Sequence, residues 1–108
     1  MKKVSVTANG YRFSVTRRGN EVGHAYLYLL KNDLHIRPFG FLEDVYVDSN
    51  YRGEGIAKEL LEAVLDEAQK RCYKLIATSR NCGTRQVVHK WYIRLGFKNY
   101  GTEFRMNF

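Results

Sequence analysis

The 108-residue sequence predicts an α+β domain, with a mixed and mostly antiparallel sheet of about six strands and two main helices. Three observations predict it. Up to Val47, apolar and polar residues alternate between tight-turn dipeptides, the pattern of a half-buried meander. From Glu54 to Arg71 the apolar spacing becomes helical, and a short apolar run and a second helical stretch follow. A helix joining two strands of one sheet implies a crossover and a parallel pair. No repeat, linker or low-complexity stretch intervenes, so residues 1–108 read as a single domain.

Taken in order, Val4, Val6 and Ala8 alternate with polar residues, and Asn9-Gly10 is a type I′ hairpin signal. A two-residue turn there pairs Ala8 with Tyr11, Val6 with Phe13 and Val4 with Val15, placing all six on one face. Gly19-Asn20 predicts a second turn, pairing Arg18 with Glu21, Phe13 with Tyr26 and Tyr11 with Tyr28 in an aromatic sheet face. Glu21–Lys31 reads as a central strand, and Asn32-Asp33 as the next turn. Leu34–Val47 is a long strand candidate with a bulge or edge position expected near Pro38 and Gly40. In Glu54–Arg71, Ile56, Leu60 and Val64 together with Ala57, Leu61, Leu65 and Ala68 form the apolar stripe. Tyr73–Ser79 predicts a short buried strand. Thr84 is a suitable N-cap for a helix that turns Val87, Val88, Trp91, Tyr92 and Leu95 inward, and Gly96 ends it with Phe97 packing back. Tyr100–Phe108 alternates again and predicts a closing strand.

A net charge of +7 favours an anionic partner such as a phosphorylated cofactor, nucleic acid or an acidic surface, although the charges are scattered as on any solvated surface. No apolar run is long enough to cross a membrane. Met1-Lys2-Lys3 leads into alternating residues rather than a signal-peptide core, and Cys72 and Cys82 have no metal-site spacing, so a cytoplasmic location is expected with no metal.

The stretch with the most chemistry is Tyr51–Lys58, Y-R-G-E-G-I-A-K. Gly53 and Gly55 permit a tight turn and close backbone approach. The helix that opens here leaves N–H groups unpartnered at its positive end, an anion site in shape. Arg52 adds a forked cation suited to phosphate. A plain strand-to-helix turn needing two glycines is the competing reading.

Leu42–Ala57, L-E-D-V-Y-V-D-S-N-Y-R-G-E-G-I-A, resembles the acetyl-CoA signature of the GCN5-related N-acetyltransferases (GNAT), with Arg52, Gly55 and Ala57 at its fixed positions. His89–Phe97, H-K-W-Y-I-R-L-G-F, is similar to the family's C-terminal helix. The resemblance covers Phe41–Phe108. Locally it is similar to polyamine acetyltransferases, while C-Y-K-L at Cys72–Leu75 is similar to glucosamine-phosphate acetyltransferases, so the acceptor stays open. The family places one or two helices after its first strand. Here that region reads as hairpins, so the N-terminal helices are reduced or absent. An exposed aromatic sheet edge would favour a homodimer.

The resemblance implies acetyl transfer from acetyl-CoA to a primary amine of a small molecule or protein. It places Arg52, Gly53, Glu54, Gly55, Ile56, Ala57 and Lys58 around the pyrophosphate and the main chain of Val45, Tyr46 and Val47 along the pantetheine. Arg85 flanks the cofactor, with Asn81 a neighbouring candidate. Glu54 departs from the pattern, since a carboxylate suits that place only if it points to solvent. Glu43 is the expected proton acceptor and Tyr92 the expected donor to the departing thiolate. Neighbouring strand residues face opposite ways, so Glu43 and Asp44 share a face only if a bulge intervenes. His89 fits a helix-face role better than a titrating one, and a Cys82–His89 nucleophile lacks an orienting third group. Two rival classes are a non-catalytic acyl-CoA-binding module, which a thiol-release assay would separate, and a nucleic-acid binder, which lacks any recognition motif.

Overall fold

The structure, a computed structural model, describes residues 1–79 and 86–108. The chain divides into two compact units, Met1–Ala77 and Thr78–Phe108. The first contains β1 (Asn9–Arg17), β2 (Asn20–Leu30), β3 (Phe39–Val47), a 3-10 turn over Ser49–Tyr51, α1 (Ile56–Arg71) and β4 (Leu75–Ala77). The sheet order is β1-β2-β3-β4, antiparallel for the first two pairs and parallel for β3–β4, with α1 as the crossover. The α+β class, the mixed sheet and the two helices are as expected, but the sheet has four strands, not six.

Two expected strands account for the difference. Residues 1–8 carry no strand, and Val4 and Val6 are exposed. Asn9-Gly10 is not a turn but the start of β1, with Asn9 opposite Leu29 and Gly10 opposite Tyr28. Gly10 is there for close approach: a Cβ would stand 2.9 Å from the Leu27 carbonyl oxygen and 3.2 Å from the Tyr28 ring. At the other end Tyr100–Phe108 forms no strand, and Tyr100, Phe104, Met106 and Phe108 are exposed.

The β1–β2 turn is Arg18-Gly19 rather than Gly19-Asn20. Both residues have positive φ, 53° and 80°, as a type I′ turn requires. Arg17 therefore pairs with Asn20, and a bulge at Val22 shifts the register so that Phe13 faces Ala25 and Tyr11 faces Leu27. A register slip exchanges the faces of a strand. Tyr11 and Phe13 lie on the α1 side, with the Arg71 guanidinium 5.2 Å from the Tyr11 ring, while Tyr26 and Tyr28 lie on the opposite face. The expected single aromatic face is thus split.

The core is the layer between α1 and the sheet. Ile56, Leu60, Leu61, Val64 and Ala68 are buried against Val15, Val22, Ala25, Leu27 and Leu42, and Ala57 and Leu65 flank them half-buried. Small residues let the helix seat closely, for a Cβ on Gly23 would meet Ile56 Cγ2 at 2.8 Å. Helix α1 starts at Ile56, two residues later than expected. At its other end Arg37 donates to the Gln69 and Arg71 carbonyls, and the free Cys72 thiol is buried, which raises its pKa. Strand β3 begins at Phe39, not Leu34. The preceding turn is at Asp33-Leu34, closed by the Leu34 N–H donating to Asn32 Oδ1. Strand β4 is shorter than Tyr73–Ser79 and half-buried.

In the second unit α2 spans Gln86–Arg94. It ends as the sequence anticipates. Gly96 has φ 103°, its N–H donates to the Ile93 carbonyl, the Phe97 N–H donates to the Tyr92 carbonyl, and the Phe97 ring lies 5.2 Å from that of Tyr92. This pair of bonds with its closing apolar contact is a Schellman motif. The expected N-cap Thr84 lies outside the described residues.

Candidate active site

The candidate site starts where β3 loses its neighbour. Parallel pairing runs from Gly40↔Leu75 to Leu42↔Ala77 and stops, while β3 continues through Glu43–Val47. Those residues pair only with β2 among the described residues, so their other main-chain edge is open. Within them lies the bulge. Glu43 is opposite Tyr26 and Tyr46 opposite His24, so Asp44 and Val45 share the single partner position of Ala25. Asp44 takes φ 51°, a left-handed conformation that Asp tolerates better than most residues. A bulge or edge position is expected near Pro38 and Gly40; Pro38 lies just before β3, and the bulge in the β2–β3 pairing is here. It meets the condition for two adjacent carboxylates to share a face: Glu43 is registered with Tyr26, and Asp44 reaches His24 on that same face. Glu43 is exposed.

That face carries a polar network spanning three strands. His24 Nε2–H donates to Asp44 Oδ2 at 3.0 Å, and His24 Nδ1 lies 3.6 Å from Glu21 Oε2. Arg12 grips Glu21 with both terminal nitrogens, at 2.5 and 2.8 Å, and its Nε–H donates to the Tyr26 hydroxyl at 3.1 Å. The Arg12 hydrogen bonds hold the Glu21 carboxyl below the ordinary range and raise the Arg12 guanidinium in turn. The His24 ring stacks on Tyr46 at 5.4 Å and meets Tyr26 edge-on at 6.0 Å. Sequence reasoning missed His24, Glu21 and Arg12 as site neighbours. The β1–β2 register brings Arg12 to Tyr26 and Glu21, and the β2–β3 register brings His24 to Tyr46 and Asp44.

Beyond Val47 the chain is turned by Asp48, whose N–H donates to the Val22 carbonyl and whose Oδ1 accepts from the Asn50 N–H. Gly53 and Gly55 follow with φ of 86° and 79°, and open space lies where a Cβ would stand on either. Gly55 is the N-cap of α1 and supplies no side-chain cap. The first-turn N–H groups of α1 therefore keep their donor capacity and partial positive charge. Ile56 contributes only its main chain there, since its side chain is core. Arg52 is exposed, Ala57 half-buried, and Lys58 pairs with Glu62 at 3.7 Å. Glu54 is exposed, which meets the condition set for a carboxylate at this place. Glu59, in the first turn, is engaged by Arg17 from β1 at 3.1 Å. Two open glycines and an uncapped helix start fit a diphosphate.

Tyr92 belongs to the second unit, half-buried on α2 with His89 and Trp91. Arg85, Asn81 and Cys82 lie outside the described residues. No group of His, Cys, Asp or Glu suited to a metal occurs among the described residues, and no described helix is long and apolar enough to cross a membrane.

The model of the acetyltransferase (GNAT) domain family matches residues 9–99, which spans both units. The chain belongs to the GNAT acetyltransferase family. This GNAT chain is 43% identical over 60 residues to an N-acetylaspartate synthetase of Xenopus tropicalis, covering 56% of the chain and 22% of that protein. It is 33% identical over 72 residues to a glucosamine 6-phosphate N-acetyltransferase of Trypanosoma brucei brucei, covering 66% and 46%. The chain thus spans less than half the length of either curated relative. Among solved structures, a Trypanosoma brucei acetyltransferase superimposes with a TM-score of 0.77 at 29% identity, covering 94% of this chain and 69% of that one. Glucosamine-6-phosphate N-acetyltransferase of Arabidopsis thaliana shares the fold, with a TM-score of 0.79 at 23% identity over 92% and 67% of the two chains.

Proposed function

We propose that this GNAT chain transfers an acetyl group from acetyl-CoA to a primary amine, with a small-molecule amine as the preferred acceptor class. The observation that carries the reading is the continuity of two main-chain features: the open edge of β3 over Glu43–Val47 and, a few residues on, the glycine-opened start of α1. One suits an extended amide-bearing arm and the other a diphosphate, and acetyl-CoA joins both in one molecule. The relatives named for amino-acid and amino-sugar acetylation support the small-amine class.

Acetyl-CoA supplies a thioester activated for attack by nitrogen. An alkyl ammonium has no lone pair, and with a pKa near ~10.4 only about one part in 10³ is neutral at pH 7, a handicap of roughly 4–5 kcal/mol. Glu43, exposed at the bulge and without a hydrogen bond or ion pair among the described residues, is assigned the role of taking that proton. Main-chain N–H groups of Val45–Val47 would hold the donor against the strand. Gly53, Gly55, Ile56, Ala57 and Lys58 would hold the diphosphate, with Arg52 as counter-charge. Tyr92 is assigned the protonation of the leaving thiolate: a C–N bond would replace the C–S bond, Glu43 would hold the first proton from nitrogen, and the second, shed as the adduct becomes an amide, would pass through solvent to restore the Tyr92 phenol.

A thiol-release assay with acetyl-CoA and a panel of diamines, amino sugars and amino acids tests the reading. Amine-dependent release is expected. Binding of acetyl-CoA without release for any amine would leave an acyl-CoA-binding module instead.

A further inference from the structure

We propose that His24 is a positioning residue, a clamp that fixes the β3 bulge in the conformation that presents the Val45–Val47 edge. The inference rests on the acetyl-CoA reading proposed above. The register sets His24 directly across from Tyr46, and the two rings stack at 5.4 Å. From the same ring, Nε2–H donates to Asp44 Oδ2 at 3.0 Å. One imidazole therefore holds both residues that flank Val45.

The clamp is needed because the bulge cannot hold itself. Asp44 has positive φ, which costs a non-glycine residue free energy, and two β3 residues compete for the one position opposite Ala25. If Asp44 is released, β3 can slide back to regular pairing, and a one-residue slide exchanges the faces of Val45, Tyr46 and Val47. A wholly exposed ion pair would be too weak to prevent this. The His24 side chain is only 19% exposed, against 60% for Asp44. It is wedged between Tyr46 and Tyr26, and the Glu21 carboxylate held by Arg12 lies 3.6 Å from its far nitrogen.

Four variants test the clamp through two readouts. One is acetyl-CoA affinity by titration calorimetry. The other is amide hydrogen exchange at Tyr46, whose N–H faces β2, in the protein without ligand. His24→Phe keeps a ring for Tyr46 and loses the donor. Asp44→Ala keeps the cost of positive φ and loses the acceptor. Each should weaken acetyl-CoA by about tenfold, the effect of losing one hydrogen bond to a charged group, and speed exchange at the Tyr46 amide. His24→Gln offers an N–H near the position of Nε2, and Asp44→Asn keeps an acceptor at positive φ. Both should stay within about threefold of the parent. The proposal is overturned if His24→Phe and Asp44→Ala leave exchange unchanged, or if the conservative pair performs no better. Failure of the parent to bind acetyl-CoA would sink the functional reading, and the exchange comparison would still decide the clamp.

Discussion

Glu43 and Asp44 are consecutive in a strand, yet both belong to the face that bears Tyr26 and His24. Their roles differ with their partners. Asp44 is engaged by His24, whereas Glu43 is exposed and has no side-chain partner among the described residues. The proton-accepting role is therefore the one proposed for Glu43, and Glu43→Gln should lower kcat/KM by about 10²-fold at neutral pH. The loss should shrink as pH rises towards the amine's own pKa, because the free amine then needs no base; a pH–rate profile parallel to the parent's would remove the assignment. Tyr92→Phe should reduce turnover by about tenfold or more while acetyl-CoA affinity stays near that of the parent. Equal turnover would return Tyr92 to the packing role that its contact with Phe97 already gives it.

At the scale of the elements, the layer between α1 and the sheet depends on absent side chains as much as on apolar ones. Gly23→Ala would drive a methyl into Ile56 Cγ2 at 2.8 Å and the Tyr46 carbonyl oxygen at 3.1 Å, and should cost about 1–3 kcal/mol in a denaturant melt. An unchanged midpoint would mean that α1 seats less tightly than described. Much of this layer was legible in the sequence: the Ile56–Ala68 stripe, the crossover and the Gly96 terminus all follow from local chemistry with one dominant solution. The hairpins were not. Asn9-Gly10 has the strongest turn chemistry in the chain, but its glycine is consumed by the approach of β2. The turn moved from Gly19-Asn20 to Arg18-Gly19 because small Ala25, not Tyr26, must lie beneath α1. That slip hid the Arg12–Glu21 contact, and the bulge in the β2–β3 pairing hid that of His24 with Asp44, whereas Glu43 and the glycine loop are candidates from their motif alone. The alternation of Tyr100–Phe108 likewise resembles a strand, but alternation cannot supply a neighbouring strand to pair with.

For the molecule as a whole, the charge of +7 sits beside a few specifically held carboxylates. Glu21 links this to stability. Its folded pKa is depressed by Arg12, so the unfolded chain binds the proton first as pH falls, and the stabilisation is present at neutrality and lost in acid. The melting temperature of Glu21→Gln should therefore lie below the parent's at pH 7, and the gap should close below about pH 4. A gap independent of pH would show that the Arg12–Glu21 contact acts through geometry alone.

The two main-chain features of the first unit give the account its centre: an open strand edge leading to a glycine-opened helix start, together shaped for acetyl-CoA. Titration calorimetry of acetyl-CoA into the parent and into Gly55→Val tests this most directly. The parent should bind, and the variant, with a branched side chain at φ 79° in the diphosphate cradle, should lose about tenfold or more in affinity. A parent that takes up no acetyl-CoA, or a variant that binds it equally well, would contradict the account.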